Sequence, residues 1–249
     1  MLHDISQLSK GRYRARMARS DCDIAESQKL RALAFGLASS DRDDFDAICT
    51  QVVIHDTDSG RMVCCFRLLT LDSGAQLDRS YSAQFYDLST LANFADRMVE
   101  LGRFCVHPHH SDPDILRVAW AALTRYVDEN NIQMLFGCAS FSGVDTALYL
   151  DAFALLRARY LAPQHWQPQI KAPDVFRFGA LVQHQPDAKK AMLCLPTLLR
   201  SYLMMGGWVS DHAVIDHDLN TLHVFTGVEI NAIPAARKRL LRAVVGAAF

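Results

Sequence analysis

Residues 98–108, Met-Val-Glu-Leu-Gly-Arg-Phe-Cys-Val-His-Pro, constrain the fold more than any other part of this chain. Val99, Leu101 and Val106 are apolar, and Phe104 and Cys105 suit a pleated, partly buried surface, so the stretch reads as a strand. Yet Glu100 and Arg103, opposite in charge, lie inside it beside Gly102. A buried strand carries such residues only where they are paired or where they do chemistry. The pair is therefore either an ion pair bracing a sheet or part of an active site.

Composition narrows the class. The 249 residues allow one large domain or two small ones, and half of them are hydrophobic, as in an ordinary globular protein. A formal net charge of -1 gives no global pull toward nucleic acid or membrane. The seven cysteines show no zinc-site spacing and lie mostly in apolar runs, so they are expected to be small core residues in a reducing, cytoplasmic setting. Met-Leu-His-Asp-Ile-Ser at the start lacks the pattern of a secretory signal, and no apolar run reaches the roughly 18–20 residues of a membrane span.

Taken in order, residues 11–19 alternate, with Arg12, Arg14 and Arg16 on one face, and predict a strand with a basic side. Ser20 then offers a helix cap, and Leu30, Leu33, Ala34 and Leu37 predict a core stripe on the helix that follows. Strands are expected over 52–55 and 62–71, joined at Asp58-Ser59-Gly60. After the Glu100 strand, Asp112 and Pro113 open a helix whose apolar face is Ile115, Val118, Ala119, Ala122, Leu123 and Tyr126. A strand over 134–139 and a helix over 145–160 follow, then a proline-punctuated connection. The late elements are a helix from near Pro196 to Gly206-Gly207, strands over 209–215 and 221–229, and a basic helix over 237–242. The order predicts an α/β fold with a mixed central sheet and a strand–helix–strand crossover at its centre.

Several stretches together resemble the ornithine N-acyltransferases of bacterial ornithine-lipid synthesis, members of the GNAT-like fold related to the acyl-homoserine lactone synthases. They are Gly11-Arg12-Tyr13-Arg14, Lys29-Leu30-Arg31 with Phe35, Asp43-Asp44-Phe45-Asp46, and Phe66-Arg67-Leu68-Leu69. Further along come Glu100-Leu101-Gly102-Arg103, Cys105-Val106-His107-Pro108, Leu135-Phe136-Gly137-Cys138-Ala139-Ser140-Phe141, Leu161-Ala162-Pro163, and a late segment from Leu195 to Thr221. The resemblance runs across nearly the whole chain in order. It implies one GNAT-like domain over 1–249, with 163–249 as a C-terminal extension packed on it.

The resemblance also implies a reaction: transfer of a 3-hydroxyacyl group from acyl carrier protein to the α-amine of ornithine. The amine must lose a proton, which makes Glu100 the candidate base or water-orienter, with Arg103 either beside it in catalysis or structural. In this fold the acyl arm lies between two splayed parallel strands, so backbone N–H groups at Cys105 and Val106 are the oxyanion candidates. Asp44 and Asp46 could hold the cationic amino acid, and Arg67 its carboxylate unless Arg67 pairs with Asp46. Arg31 and Ser140 complete the expected substrate-binding set.

The donor has a separate signal. GNAT proteins that use acetyl-CoA cradle its pyrophosphate in a glycine-rich loop before the central helix, but this chain has no glycine between Gly102 and Gly137. Asp112 at the helix start would also oppose a phosphate there. A donor carried on the phosphopantetheine of acyl carrier protein is expected instead, with no metal or redox cofactor. Carrier proteins are acidic, so Arg12, Arg14, Arg16, Arg237 and Lys238 are the docking candidates, and the last two could equally rest on anionic lipid. His107, His109 and His110 lack the spaced partners of a metal site, and Cys105 lacks the basic neighbour of a nucleophile. Glutamine as acceptor, a homoserine-lactone synthase, and a non-catalytic carrier-protein-binding protein are the alternatives.

Overall fold

The computed structural model describes residues 8–246, with side chains as far as residue 243, so the stretch over 1–6 lies outside it. In chain order the elements are β1 (Leu8–Lys10), β2 (Tyr13–Met17), α1 (Asp21–Phe35), β3 (Thr50–Asp56), β4 (Met62–Leu71), β5 (Tyr86–Asp87), β6 (Met98–Val106), α2 (Pro113–Glu129) and β7 (Met134–Ser142). They continue as α3 (Leu150–Arg159), β8 (Gln169–Ile170), β9 (Val175–Phe176), α4 (Phe178–Leu181), α5 (Ala188–Cys194), α6 (Thr197–Met204), β10 (Trp208–Val209), β11 (Ala213–Asp216), β12 (Thr221–Glu229) and α7 (Ala235–Gly246). The chain divides into two compact units, residues 8–70, 99–132 and 234–246 in the first and 71–98 and 133–233 in the second.

In the first unit the strands lie in the order β1-β2-β3-β4-β6. The basic strand expected over 11–19 is β2, and β1 folds back on it through Gly11, whose φ of 56° lies in the left-handed region. Ser20 caps α1 by accepting from the Asp23 N–H (3.2 Å), and Gly36 ends it at φ 68°. The face that α1 buries corrects the expected stripe. Leu33 is 50% exposed, and the inward residues are Asp23, Ser27, Leu30, Arg31 and Ala32. The reason is that the helix meets an acidic loop, where Arg31 and Gln28 find Asp41 and Asp46 as partners. α2 is as expected: Asp112 accepts from the Asp114 N–H (2.9 Å), and all six predicted face residues are buried. Leu30, Val53, Met62, Cys65 and Cys105 form a small core between α1 and the sheet.

In the second unit the order is β7-β12-β11-β9, with β10 also on β12 and a small β5-β8 pair apart. β7 and β12 are antiparallel over their full length, from Thr221 opposite Ser142 to Glu229 opposite Met134. The strand expected over 209–215 is broken into β10 and β11. Ser210 turns the chain there, its hydroxyl donating to the His212 carbonyl (2.7 Å) and accepting from the Phe225 N–H (3.1 Å). The helix expected over 145–160 begins as a 3-10 turn at Thr146–Tyr149 before α3. The proline-rich connection also holds two short helices, α4 and α5, that sequence reading missed. Phe141, Phe153, Phe178, Leu199, Leu222 and Val224 lie in the core of this unit. Among the described residues no helix is long and apolar enough to cross a membrane.

Candidate active site

Three arginines from three elements converge on one acidic loop in the first unit. Arg31 of α1 is fully buried; its Nε reaches Asp41 (2.8 Å), and its two terminal nitrogens reach the two oxygens of Asp46 (2.7 and 3.0 Å). Arg67 of β4 donates to Asp46 (3.0 Å) and pairs in a fork with Asp43, while lying over the Phe45 ring. Arg103 of β6 donates to Asp41 (2.9 Å) and Asp43 (3.3 Å). Guanidinium forks match carboxylates at two points each, which ties loop, helix and both strands into one geometry.

Asp46 is the hub. It accepts two hydrogen bonds from Arg31 and one each from Arg67, Gln28 and Gln51. Burial alone would raise its pKa, but the bonds from Arg31, Gln28 and Arg67 outweigh burial and hold the carboxyl well below the usual range. Two carboxylate oxygens offer about four lone-pair positions, so Asp46 is saturated by the protein's own donors. Asp44, its neighbour in the expected substrate set, is exposed instead. Asp41 and Asp43 also pair with the arginines, whereas the sequence reading paired only Asp46, with Arg67. The available signal was arithmetic: buried arginines on a helix and two strands call for a matching number of carboxylates in the one acidic loop.

Arg103 adopts φ 50°, a left-handed conformation rarely held by a residue with a side chain. In a regular strand Glu100 and Arg103, three apart, face opposite ways. The twisted residue breaks that alternation, and its ion pairs to Asp41 and Asp43 hold it there. Glu100 is 4% exposed. Burial, with Glu100, Asp43 and Asp46 adding to it against Arg67, pushes the nearby Cys49 thiol up to about 12. Glu100 thus acts on the same thiol as the network, within one neighbourhood.

The two oxyanion candidates separate. His107 N–H donates to the Val63 carbonyl (2.8 Å), so the strand's two-residue period aims the Cys105 N–H at β4 as well. Val106 N–H then points from the opposite edge. The Cys105 thiol lies 3.5 Å from that of Cys65, and this contact together with burial raises its pKa well above the ordinary thiol value.

The other expected residues are dispersed. Arg12 and Arg14 are exposed, whereas Arg16 is bound through both terminal nitrogens to Asp23 (2.8 and 2.6 Å). Arg14, Arg16, His55 and Thr57 line a cavity of about 200 Å³. Arg237 and Lys238 are half-buried on α7, whose Arg242 forms a two-point pair with Asp128 (3.0 and 2.9 Å). Ser140 is exposed on β7, opposite His223. His107 and His109 close a local turn, with the His109 N–H donating to His107 Nδ1 (3.2 Å). Asp112, besides capping α2, accepts from the Tyr13 hydroxyl (3.0 Å).

Comparison with known proteins bears on the fold and the family. A family model described as an acetyltransferase (GNAT) domain matches residues 28–121, which include Arg31, the acidic loop, Glu100 and Arg103. An uncharacterised protein of Bacillus halodurans has the same fold, with a TM-score of 0.50 at 9% identity over 98% of both chains. An acyl-homoserine-lactone synthase of Agrobacterium fabrum is 33% identical over 92 residues, 33% of this chain and 43% of the synthase. The L-ornithine N(alpha)-acyltransferase of Rhodobacter capsulatus is 33% identical over 238 residues, 89% of this chain and 91% of that enzyme. The fold is GNAT-like, the chain is an acyltransferase, and by this near-full-length identity it belongs to the L-ornithine N(alpha)-acyltransferase family.

Proposed function

We propose that this protein transfers a 3-hydroxyacyl group from the phosphopantetheine arm of acyl carrier protein to the α-amine of L-ornithine. The product is a lyso-ornithine lipid of membrane aminolipid synthesis, made in the cytoplasm or peripherally at the membrane face. The observation that carries this reading is the identity with the Rhodobacter enzyme over 91% of its length.

The chemistry follows from the first unit. Glu100, buried beside the arginine network, takes a proton from the ornithinium amine directly or through one water. The freed nitrogen attacks the thioester carbonyl carbon, and the oxygen that becomes negative is met by the Val106 N–H. Collapse forms the amide, breaks the carbon–sulfur bond and returns the pantetheine sulfur as a thiol, with one proton released to solvent. The arginines with Asp41, Asp43 and Asp46 hold β6 in place, while exposed Asp44 is open to the ornithine cation. The first turn of α2 supports a carrier-protein donor: Asp112 and Asp114 occupy the helix start where a CoA pyrophosphate would otherwise bind. Arg12 and Arg14 offer the acidic carrier an exposed basic edge.

The test is to incubate purified protein with 3-hydroxyacyl carrier protein, or with the same acyl group on CoA, and with ornithine or glutamine, and to weigh the products. N-acylornithine from the carrier-protein thioester is expected. Product only from glutamine, or only from CoA, would overturn the acceptor or the donor respectively.

A further inference from the structure

The second unit contains a cavity of about 520 Å³ that the transfer chemistry does not use. Its size is that of a small-molecule pocket. Every residue lining it falls within 74–92 or 170–171, so it belongs to this unit alone. Backbone contacts set its walls. On one side the Gly74 N–H donates to the Phe94 carbonyl (2.8 Å), and a Cβ at Gly74 would collide with the Leu91 carbonyl oxygen. On the other side β5 and β8 pair, Tyr86 opposite Ile170, and the Ala172 N–H donates to the Phe85 carbonyl (2.9 Å). Leu77, Tyr86 and Leu88, all buried, supply apolar lining. The cavity is therefore formed before anything enters it.

Three charged side chains line it: Asp78, Asp87 and Lys171. Two of them are held in place. The Asp87 carboxylate accepts from the Ser89 N–H (2.9 Å), and Lys171 Nζ donates to the Ala83 carbonyl (2.6 Å). An exposed lysine ordinarily samples many rotamers, so one already pinned has less freedom to lose when a ligand arrives. The bonds from Ser89 first, and the Lys171 charge after them, hold the Asp87 carboxyl below its usual value, which puts both charges within reach of one ligand. Asp78 is exposed on the 3-10 turn Gly74–Arg79. The charge set discriminates among ligands. A metal ion would be repelled by Lys171, and a simple anion by the two carboxylates. A monoamine leaves Lys171 without a counter-charge, and an amino acid with a neutral side chain leaves Asp78 without one. One ammonium and two carboxylates are complemented by one carboxylate and two cations on a short methylene stem.

We propose that this cavity binds a dibasic α-amino acid, with Lys171 on its carboxylate, Asp87 on its α-ammonium and Asp78 on its side-chain cation. The assignment stands on these charges and needs no step of the transfer reaction, although ornithine belongs to the same class of molecule. The test is equilibrium dialysis of the full-length protein with labelled L-ornithine, comparing the wild type with Asp78→Asn and Lys171→Met. The wild type is expected to bind an equivalent that each variant binds about tenfold more weakly or not at all, as loss of one charge-assisted hydrogen bond predicts. L-Lysine should displace that equivalent, and L-norvaline, which lacks the second cation, should do so at least about tenfold less well. Asp78→Asn binding ornithine as the wild type does, or norvaline competing as well as lysine, overturns the inference. Formation of N-acylornithine by the wild type judges the transferase reading separately, so either can fail alone. Thermal melting checks that the variants fold, and if Lys171→Met does not, Asp78→Asn and the competition series decide.

Discussion

The two units satisfy their buried polar groups to different degrees, though Arg67 Nε in the first also lacks a partner. In the first, Arg31, Arg67 and Arg103 meet Asp41, Asp43 and Asp46, and the hub carboxylate is filled by five donors. In the second, His212 and His223 each keep a buried Nε2 with no partner. A filled network rigidifies and fixes geometry, whereas an unfilled one costs stability until something completes it. The first therefore reads as scaffold that fixes β6, and the second as a polar cluster held at a cost in stability.

The largest effect should come where scaffold meets chemistry. Glu100→Gln keeps the shape but removes the proposed base, and kcat should fall by about 10²–10⁴ with thermal stability little changed. Equal loss of stability and activity would return Glu100 to the scaffold. Arg31→Met tests the filled network directly. It leaves Asp41 and Asp46 buried without their main partner, so urea denaturation should show a loss of about 3–5 kcal/mol.

Acidification should separate the units. Asp46 has a lowered pKa in the fold, so its contribution is present above the unfolded carboxylate value of about 4 and is lost as pH falls below it. His223 is also lowered, to about 4, so the unfolded state binds the extra proton between about pH 6.5 and 4. Stability should therefore fall across that window, by up to about 3 kcal/mol, and the fall should flatten in His223→Gln. Stability curves for both proteins from pH 7 to 3 would show it, and coincident curves would remove His223 as the cause. The smallest effect should be at the exposed basic edge. Arg14→Ala should raise KM for the acylated carrier protein a few-fold at low salt and by less at high salt, since exposed charges are screened.

Much of the scaffold was legible beforehand. The face of α2 follows from spacing alone, and the anomaly of Glu100 and Arg103 in a strand pointed to the part of the first unit that holds the charged network. The face of α1 was not legible, because a helix packed over arginines and acids buries Arg31 and Ser27 and turns Leu33 out, against the usual apolar rule. Nor was the choice among the loop acids: Asp41 and Asp43 are selected over Asp44 by the turn that presents them, not by their chemistry.

The sequence by itself determined most of the longer elements, though not α4, α5 or the break between β10 and β11, and that its buried charges must find partners, since periodicity and desolvation are local or nearly so. Tertiary structure alone decided who those partners are. Arg31 and Arg103 are far apart in the chain yet share Asp41, and Tyr86 meets His223 from 137 residues away. Such pairings depend on how strands stack and where Arg103 twists, which no window of sequence records.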